Sequence, residues 1–194
     1  MTEENLHEKF DHVYNVIKSP KFLSMESLGG EIPFWISAYN PIQEVEVSRE
    51  IENLKTRLIN DGISVHLVNL FELSMSIVDD HIGKEKMFAI EQRKSKEKFK
   101  KALQSTINIH ERLIPAIKER ADSKDIDLLF IHGVGAVYPF IRSHTVLNNL
   151  QSAVKNKPTV MFFPGNYTGQ SLELFGLLKD DNYYRAFNID NYKL

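Results

Sequence analysis

Two segments of the chain carry residue types that could bind or process a charged ligand, and each follows a short apolar run. The first is His132-Gly-Val-Gly-Ala-Val-Tyr-Pro-Phe-Ile-Arg-Ser-His144, and the second is Gly165-Asn-Tyr-Thr-Gly-Gln-Ser171. Glycine-rich turns expose backbone N–H groups, which bind phosphate or carboxylate oxygens where a helix begins. Both segments are therefore candidates for the ligand-bearing end of a strand in an α/β sheet.

The second segment has the position of a phosphate-binding loop but lacks the chemistry of one. When it is aligned with that motif, Pro164 replaces the first glycine, Gly169 matches the second and Ser171 matches the hydroxyl residue. Gln170 replaces the lysine, and a neutral amide cannot neutralise phosphate oxygens. The predicted strand end at His132 offers no carboxylate for magnesium. We therefore expect no nucleotide hydrolysis. Two interpretations of this segment remain: it is a structural turn, or it holds an anion without turnover.

The first segment also allows two interpretations. Backbone N–H groups near Gly133 and Gly135, together with the Arg142 guanidinium, could hold a carboxylate or a phosphate. Alternatively, the glycines only permit a backbone turn, and Arg142 pairs with an internal carboxylate such as Glu31 or Glu44. The sequence leaves this choice open.

The composition indicates one folded domain over residues 1–194. Hydrophobic residues make up 42% of the chain and charged residues 26%, which is typical of globular proteins. A formal charge of −2 gives no overall attraction to nucleic acid or to an anionic membrane. The absence of cysteine excludes disulfides, thiolate nucleophiles and cysteine-ligated metals. No signal peptide or membrane helix is visible, so we expect a soluble, cytoplasmic protein.

The sequence contains no motif that identifies an enzyme. The seven histidines form no His-Glu-x-x-His motif and no i, i+4 pair beside a carboxylate, so we expect no metal site. There is no Gly-x-Ser-x-Gly elbow either. We therefore predict no catalytic residues and no cofactor.

Hydrophobic periodicity predicts alternating strands and helices. Strands are predicted at residues 31–39, 64–70, 126–132, 158–163 and 183–189. Helices are predicted at 3–18, 44–60, 143–154 and 170–179, with a helical insertion at about 71–120 in which Pro115 kinks the helix or begins a new segment. This order predicts the α/β class, with a single, mainly parallel sheet of about five strands flanked by helices. The predicted fold is similar to P-loop-like folds, without a functional phosphate-binding loop.

Two other regions are candidate partner surfaces. Residues 93–101 contain six basic residues and Phe99, which indicates a solvated helix surface or a contact with nucleic acid or an acidic partner. Tyr183, Tyr184 and Arg185 begin the last predicted strand, and aromatic side chains on both faces of a strand favour a partner interface.

Several segments together resemble the BrxB family, which is encoded in BREX (bacteriophage exclusion) gene clusters of bacteria. The resemblance spans about residues 20–189 and rests on these segments: Leu28-Gly-Gly-Glu-Ile-Pro-Phe-Trp-Ile-Ser-Ala-Tyr-Asn-Pro41, His132 to His144, Leu147-Asn-Asn-Leu-Gln151, Phe163-Pro-Gly-Asn-Tyr-Thr-Gly-Gln-Ser-Leu172 and Tyr183-Tyr-Arg-Ala-Phe187. Their shared order along the chain is more specific than any single motif.

The resemblance implies a non-catalytic component of phage defence that assembles with other BREX proteins. The implied partners are a DNA methyltransferase, a large ATPase and an alkaline-phosphatase-like protein. The alternative is a regulatory sensor that binds a nucleotide or an anion without hydrolysis at the carboxyl-terminal edge of the sheet. The candidate residues for that edge are Gly133, Gly135, Tyr138, Arg142, His144, Gly165, Tyr167, Gly169, Gln170 and Ser171.

Overall fold

The computed structural model describes residues 5–25, 33–179 and 186–193, and its centre is a sheet of five parallel strands. These strands are β1 (Phe34–Tyr39), β2 (Val65–Asn69), β3 (Leu128–His132), β4 (Thr159–Tyr167) and, after two short strands, β7 (Phe187–Asn188). The two short strands, β5 (Leu172–Leu174) and β6 (Leu178–Lys179), continue antiparallel from β4. The parallel strands lie in the order β2-β3-β4-β1-β7. The predicted α/β class and mainly parallel sheet are confirmed.

Helices connect the strands and cover the sheet. Those in the described residues are α1 (Leu6–Lys18), α2 (Pro20–Leu23), α3 (Glu44–Asn60), α4 (Leu70–His81), α5 (Lys84–Arg93), α6 (Lys96–Ile107), α7 (Ile114–Ala121) and α8 (Ser143–Ala153). The predicted helices at 44–60 and 143–154 are confirmed, as is the described part of the helix at 3–18. Among the described residues, no helix is long and apolar enough to cross a membrane.

The sheet separates two hydrophobic clusters because successive side chains of a strand point to opposite faces. Leu128 and Phe130 of β3 pack with α1, α2 and α3, whereas Leu129 and Ile131 pack with helices α4 to α8. All four side chains are completely buried. Burial on both faces explains why this strand is a continuous apolar run rather than an alternating one.

The predicted helical insertion at 71–120 is a series of separate helices. The first break follows α4 at Gly83, whose φ is +88°, and Ser95 then caps the start of α6. Asn108, at φ +37°, ends α6 and precedes a π-helical turn at Ile109–Leu113. Pro115 lies in the first turn of α7, directly after the π-helical turn. It marks the start of a separate helical element, which was one of the two predicted outcomes.

The predicted helix at 170–179 is wrong, since this region forms a β-hairpin and a second turn. Leu172 and Leu174 are buried whereas Glu173 between them is not, which is the alternation of a half-buried strand. The Thr168 hydroxyl oxygen accepts hydrogen bonds from the N–H groups of Gln170 and Ser171, at 3.3 and 3.0 Å. This local bonding turns the chain back onto β4 instead of starting a helix.

Candidate functional site

A crevice of about 660 Å³ opens at the carboxyl ends of β1 and β4. These strands are neighbours in the sheet although they lie far apart in the sequence, and open α/β sheets bind ligands at such positions. The described lining residues include no acidic and no basic side chain. They are Ala38, Tyr39, Asn40, Pro41, Ile42, Gly165, Asn166, Tyr167, Phe175 and Gly176.

Exposed apolar side chains concentrate at the edge of the sheet that bears this crevice. Eight large hydrophobic residues of the described chain are exposed, and six of them lie in segments that follow the carboxyl ends of β1 to β4. Ile42 is 86% exposed and Leu177 is 80% exposed. We name these six residues the carboxyl-edge rim: Ile42, Val45, Phe71, Tyr138, Leu177 and Leu178.

Phe175 connects the two segments that the sequence identified as candidate ligand loops. Its φ of +60° is unusual for a bulky residue, and its N–H donates a 2.8 Å hydrogen bond to the Pro164 carbonyl. Its ring meets that of Tyr138 edge-on, with the ring centroids 6.3 Å apart. A Cβ on Gly135 would lie 2.9 Å from the Phe175 ring. The two loops therefore meet through Phe175 beside the crevice.

The remaining candidates of the first segment lie outside the crevice lining. Gly133 has φ +74° and faces the Asn69 side chain, which caps α4. Arg142 is exposed at the start of α8 and forms no ion pair among the described residues. The predicted pairing with Glu44 is wrong, because Arg142 and Glu44 form no ion pair; the Glu44 carboxylate accepts a hydrogen bond from the Tyr39 hydroxyl instead. Glu31 lies outside the described residues. His144 is half-buried in the first turn of α8.

The second segment is divided between the crevice and the tip of the hairpin. Gly165 and Tyr167 line the crevice, and the Tyr167 hydroxyl donates a 2.6 Å hydrogen bond to the Ala186 carbonyl. Gly169, Gln170 and Ser171 form the turn between β4 and β5 and are absent from the crevice lining. Tyr183, Tyr184 and Arg185 lie outside the described residues, so their predicted interface stays a prediction.

Tyr39, His132 and Asn69 are three polar residues at the carboxyl edge that are engaged in hydrogen bonds or shielded by burial. The Tyr39 hydroxyl donates to Glu44 Oε2 at 2.7 Å, and burial together with this carboxylate raises the pKa of Tyr39 well above its ordinary value. Burial lowers the pKa of His132 at the end of β3. Asn69 Oδ1 accepts hydrogen bonds from two N–H groups of the first turn of α4. These groups hold the loops in place, and the described lining offers no cation to an anionic ligand.

The sequence reasoning did not identify the most exposed members of the carboxyl-edge rim. Ile42 and Val45 follow β1 directly, and Leu177 follows the turn at Gly176. For Ile42 and Leu177 the available signal was an apolar residue immediately after Pro41 or Gly176, where a loop is normally polar. A single exposed leucine or isoleucine is common, so only the fold shows that these residues share one edge.

Taken together, the fold and the edge define an α/β protein whose sheet presents apolar side chains around an uncharged crevice. Residues 66–189 match the family described as "BREX protein BrxB". A BREX protein BrxB of Bacillus cereus (strain H3081.97) is 40% identical over 190 residues, which cover 95% of this chain and 97% of that protein. One of Escherichia coli O9:H4 (strain HS) is 26% identical over 189 residues, covering 97% and 94%.

The chain therefore belongs to the BrxB family of BREX proteins, as its resemblance in sequence predicted. No solved structure matches it. The predicted similarity to P-loop-like folds consequently stays a prediction.

Proposed function

We propose that this chain is a non-catalytic interaction subunit of a BREX phage-defence system, and that other BREX proteins dock on the carboxyl-edge rim. The observation that carries the proposal is the position of six of the eight exposed large hydrophobic residues at one edge of the sheet. Exposed apolar side chains that concentrate on one part of a surface are typical of protein interaction sites. Membership of the BrxB family makes other BREX proteins the expected partners.

The chemistry of the crevice supports docking more than turnover. Catalysis requires a group able to donate, accept or attack near the reacting atom. The raised pKa of Tyr39 keeps its phenol protonated, and its proton is already directed at Glu44. The uncharged lining, which includes Ile42 and Phe175, instead fits an inserted side chain of a partner protein. A few buried anchors of this kind dominate many interfaces.

Charge substitutions in the rim test the docking surface. In cells that express a complete BREX cluster, tagged wild-type protein should recover at least one other BREX protein, identified by mass spectrometry. The double variant Ile42→Lys, Leu177→Lys should recover at least about tenfold less of that partner. The reason is that a lysine buried in an interface loses its hydration without gaining an opposite charge, which costs free energy. Both wild-type side chains are at least 80% exposed, so the fold should be unaffected.

The matched control is Ile59→Lys, which changes an apolar side chain that is 48% exposed near the opposite edge of the sheet. It should recover partners as the wild type does, and the methyltransferase, the ATPase and the phosphatase-like protein are each distinguishable in the same experiment. Equal recovery by the rim variant and the wild type would contradict docking at this edge.

The non-catalytic part of the proposal has its own test. Tyr39→Phe and Glu44→Gln should each keep wild-type protection in a phage plaque assay, since we assign these groups a structural role. If Glu44→Gln abolished protection while the variant still recovered its partners, this edge would take part in a reaction. That result would overturn the non-catalytic role.

A further inference from the structure

A second surface, on α5 and α6, carries a strong positive charge, in contrast to the apolar carboxyl-edge rim. Residues 84–101 contain eight basic and three acidic residues, a net charge of +5, whereas the rest of the chain has 16 basic and 23 acidic residues. Such a separation of charge within one small domain is a sign of an electrostatic binding surface.

Six of these cations are exposed and have no acidic partner among the described residues. Lys84 pairs with Asp79 and Lys100 pairs with Glu97, so these two are neutralised locally. No ion pair or side-chain hydrogen bond engages the other six in the described part of the chain. We name these six the basic surface: Lys86, Arg93, Lys94, Lys96, Lys98 and Lys101.

The six cations lie on two consecutive helices and the break between them, and both helices pack on the same core cluster. The chain breaks between α5 and α6 at Lys94 and Ser95, and apolar residues of both helices, Met87 and Leu103 among them, face the core. Lys86 and Arg93 are seven residues apart and lie on one stripe of α5. Lys98 and Lys101 are three apart and share a stripe of α6.

The arrangement does not serve the stability of α6. Lys96 and Lys98 lie in the first turn of this helix, where the positive end of the helix dipole disfavours cations. Unpaired like charges close together also repel one another. A polyanion bound to this surface would relieve both effects.

We propose that the basic surface binds the phosphate backbone of double-stranded nucleic acid, independently of base sequence. Five of its six members are lysines, which contact phosphates as point charges and are depleted in protein interfaces. Phe99 packs against the core, and Phe88 is the one exposed aromatic side chain of residues 84–101, all of which the structure describes. Proteins that bind single strands stack successive bases on several aromatic side chains, so this surface favours phosphate contacts to a duplex. This function is additional to protein docking, because it uses a different face of the molecule.

Fluorescence anisotropy of labelled duplexes of about 20 base pairs tests the proposal, with DNA and RNA duplexes as separate arms. If four to six phosphates are contacted, affinity should fall by on the order of 10²- to 10³-fold between about 50 and 200 mM salt. Two duplexes of unrelated sequence should bind equally, since phosphate contacts carry no sequence information.

The decisive variant reverses three charges of the basic surface, Lys94→Glu, Lys96→Glu and Lys98→Glu. Its affinity for duplex should be at least about tenfold weaker than that of the wild type. The slope of log affinity against log salt should also become less steep by about three, because three phosphate contacts are removed. The matched control, Lys124→Glu, Lys155→Glu and Lys193→Glu, makes the same change of net charge at three exposed lysines outside the surface and should bind almost as the wild type does.

Three results would overturn the proposal. They are no binding of either duplex at about 50 mM salt, equal losses by the two triple variants, or tighter binding to poly-glutamate than to duplex at matched charge. The last result would assign the surface to an acidic protein instead. Because the Ile42→Lys, Leu177→Lys variant leaves these lysines unchanged, it should bind duplex normally, so this test and the test of docking fail independently.

Discussion

The two edges of the same sheet differ in what they present to solvent. At the carboxyl edge, apolar side chains such as Ile42 and Leu177 are exposed beside a crevice. At the amino edge, the loops at 61–64, 122–127 and 154–158 are mostly polar, and Ile59 is the exposed large hydrophobic residue of the described chain nearest to them. Both edges close the same core, so packing alone does not account for the difference. We therefore assign partner docking to the apolar edge.

Glycine substitution should give the largest difference in stability between variants of the carboxyl edge and variants of the amino edge. Gly165 has φ +147°, and a Cβ there would lie 2.1 Å from the Glu173 carbonyl oxygen, so β5 could not pair with β4. We expect Gly165→Ala to lower the free energy of unfolding by about 3 kcal/mol. Urea denaturation followed by circular dichroism measures it.

The amino edge supplies the control for that substitution. Gly62 also has a positive φ, +82°, but an added Cβ there would meet nothing within 4 Å. Gly62→Ala should therefore cost only the backbone strain, about 1 kcal/mol. If both substitutions lowered the free energy of unfolding equally, the close approach of the hairpin to β4 at Gly165 would contribute nothing to stability.

A smaller effect is expected from the ion pair that anchors the end of the chain to the carboxyl end of β1. The Lys9 and Asp190 side chains are 7% and 19% exposed, and Asp190 also accepts hydrogen bonds from the Ser37 hydroxyl and the Ala38 N–H. Asp190→Asn removes the charge that opposes buried Lys9. We expect a loss of about 2 kcal/mol of stability, measured by the same denaturation.

The comparison pair at the amino edge is Lys18 with Asp61, whose side chains are 42% and 33% exposed. Hydrogen bonds from Tyr14 and Lys18 lower the pKa of Asp61, yet solvent screens the exposed pair. Asp61→Asn should therefore change stability far less than Asp190→Asn. The reverse order would show that burial at the carboxyl edge does not strengthen its ion pair.

The smallest effect is a pH dependence from His132 at the carboxyl edge. Burial lowers its folded-state pKa below the ordinary 6.5, so the unfolded chain takes up a proton there first as the pH falls. Stability from this residue is present above about pH 6.5 and is lost below it, with a slope of at most about 1.4 kcal/mol per pH unit. Thermal unfolding of His132→Gln from pH 7.5 to pH 5 should show a shallower decline, whereas the exposed control His110→Gln should keep the wild-type slope. If the stability of His132→Gln fell with decreasing pH as steeply as that of the wild type, burial of His132 would not be the source of this pH dependence.

Much of the fold was predictable because the core elements have strong local patterns. Val47, Ile51, Leu54 and Leu58 recur at helical spacing in α3, and all four are buried against the sheet. The doubly buried strand β3 appeared as a continuous apolar run. The hairpin after β4 was missed because a Gly-rich turn after a strand precedes helices in many α/β folds, whereas the alternation of Leu172 and Leu174 covers only three residues.

The candidate site was only partly predictable, since it depends on contacts between distant segments. Gly165 and Tyr167 were predicted and line the crevice. The other side of the crevice comes from residues 38–42, and no local pattern places these residues beside β4. Register decides this contact: Tyr39 lies opposite Pro164 in neighbouring parallel strands. Pairing between strands more than 100 residues apart cannot be read from local periodicity.

Site-specific photo-crosslinking in cells that express a complete BREX cluster tests the central claim most directly. A photoreactive amino acid at Ile42 or Leu177 should crosslink to another BREX protein, whereas the same amino acid at Ile59 should not, since the exposed apolar side chains concentrate at the carboxyl edge. Crosslinks from Ile59 alone, or from none of the three positions while the partners still co-purify, would contradict docking at the carboxyl-edge rim.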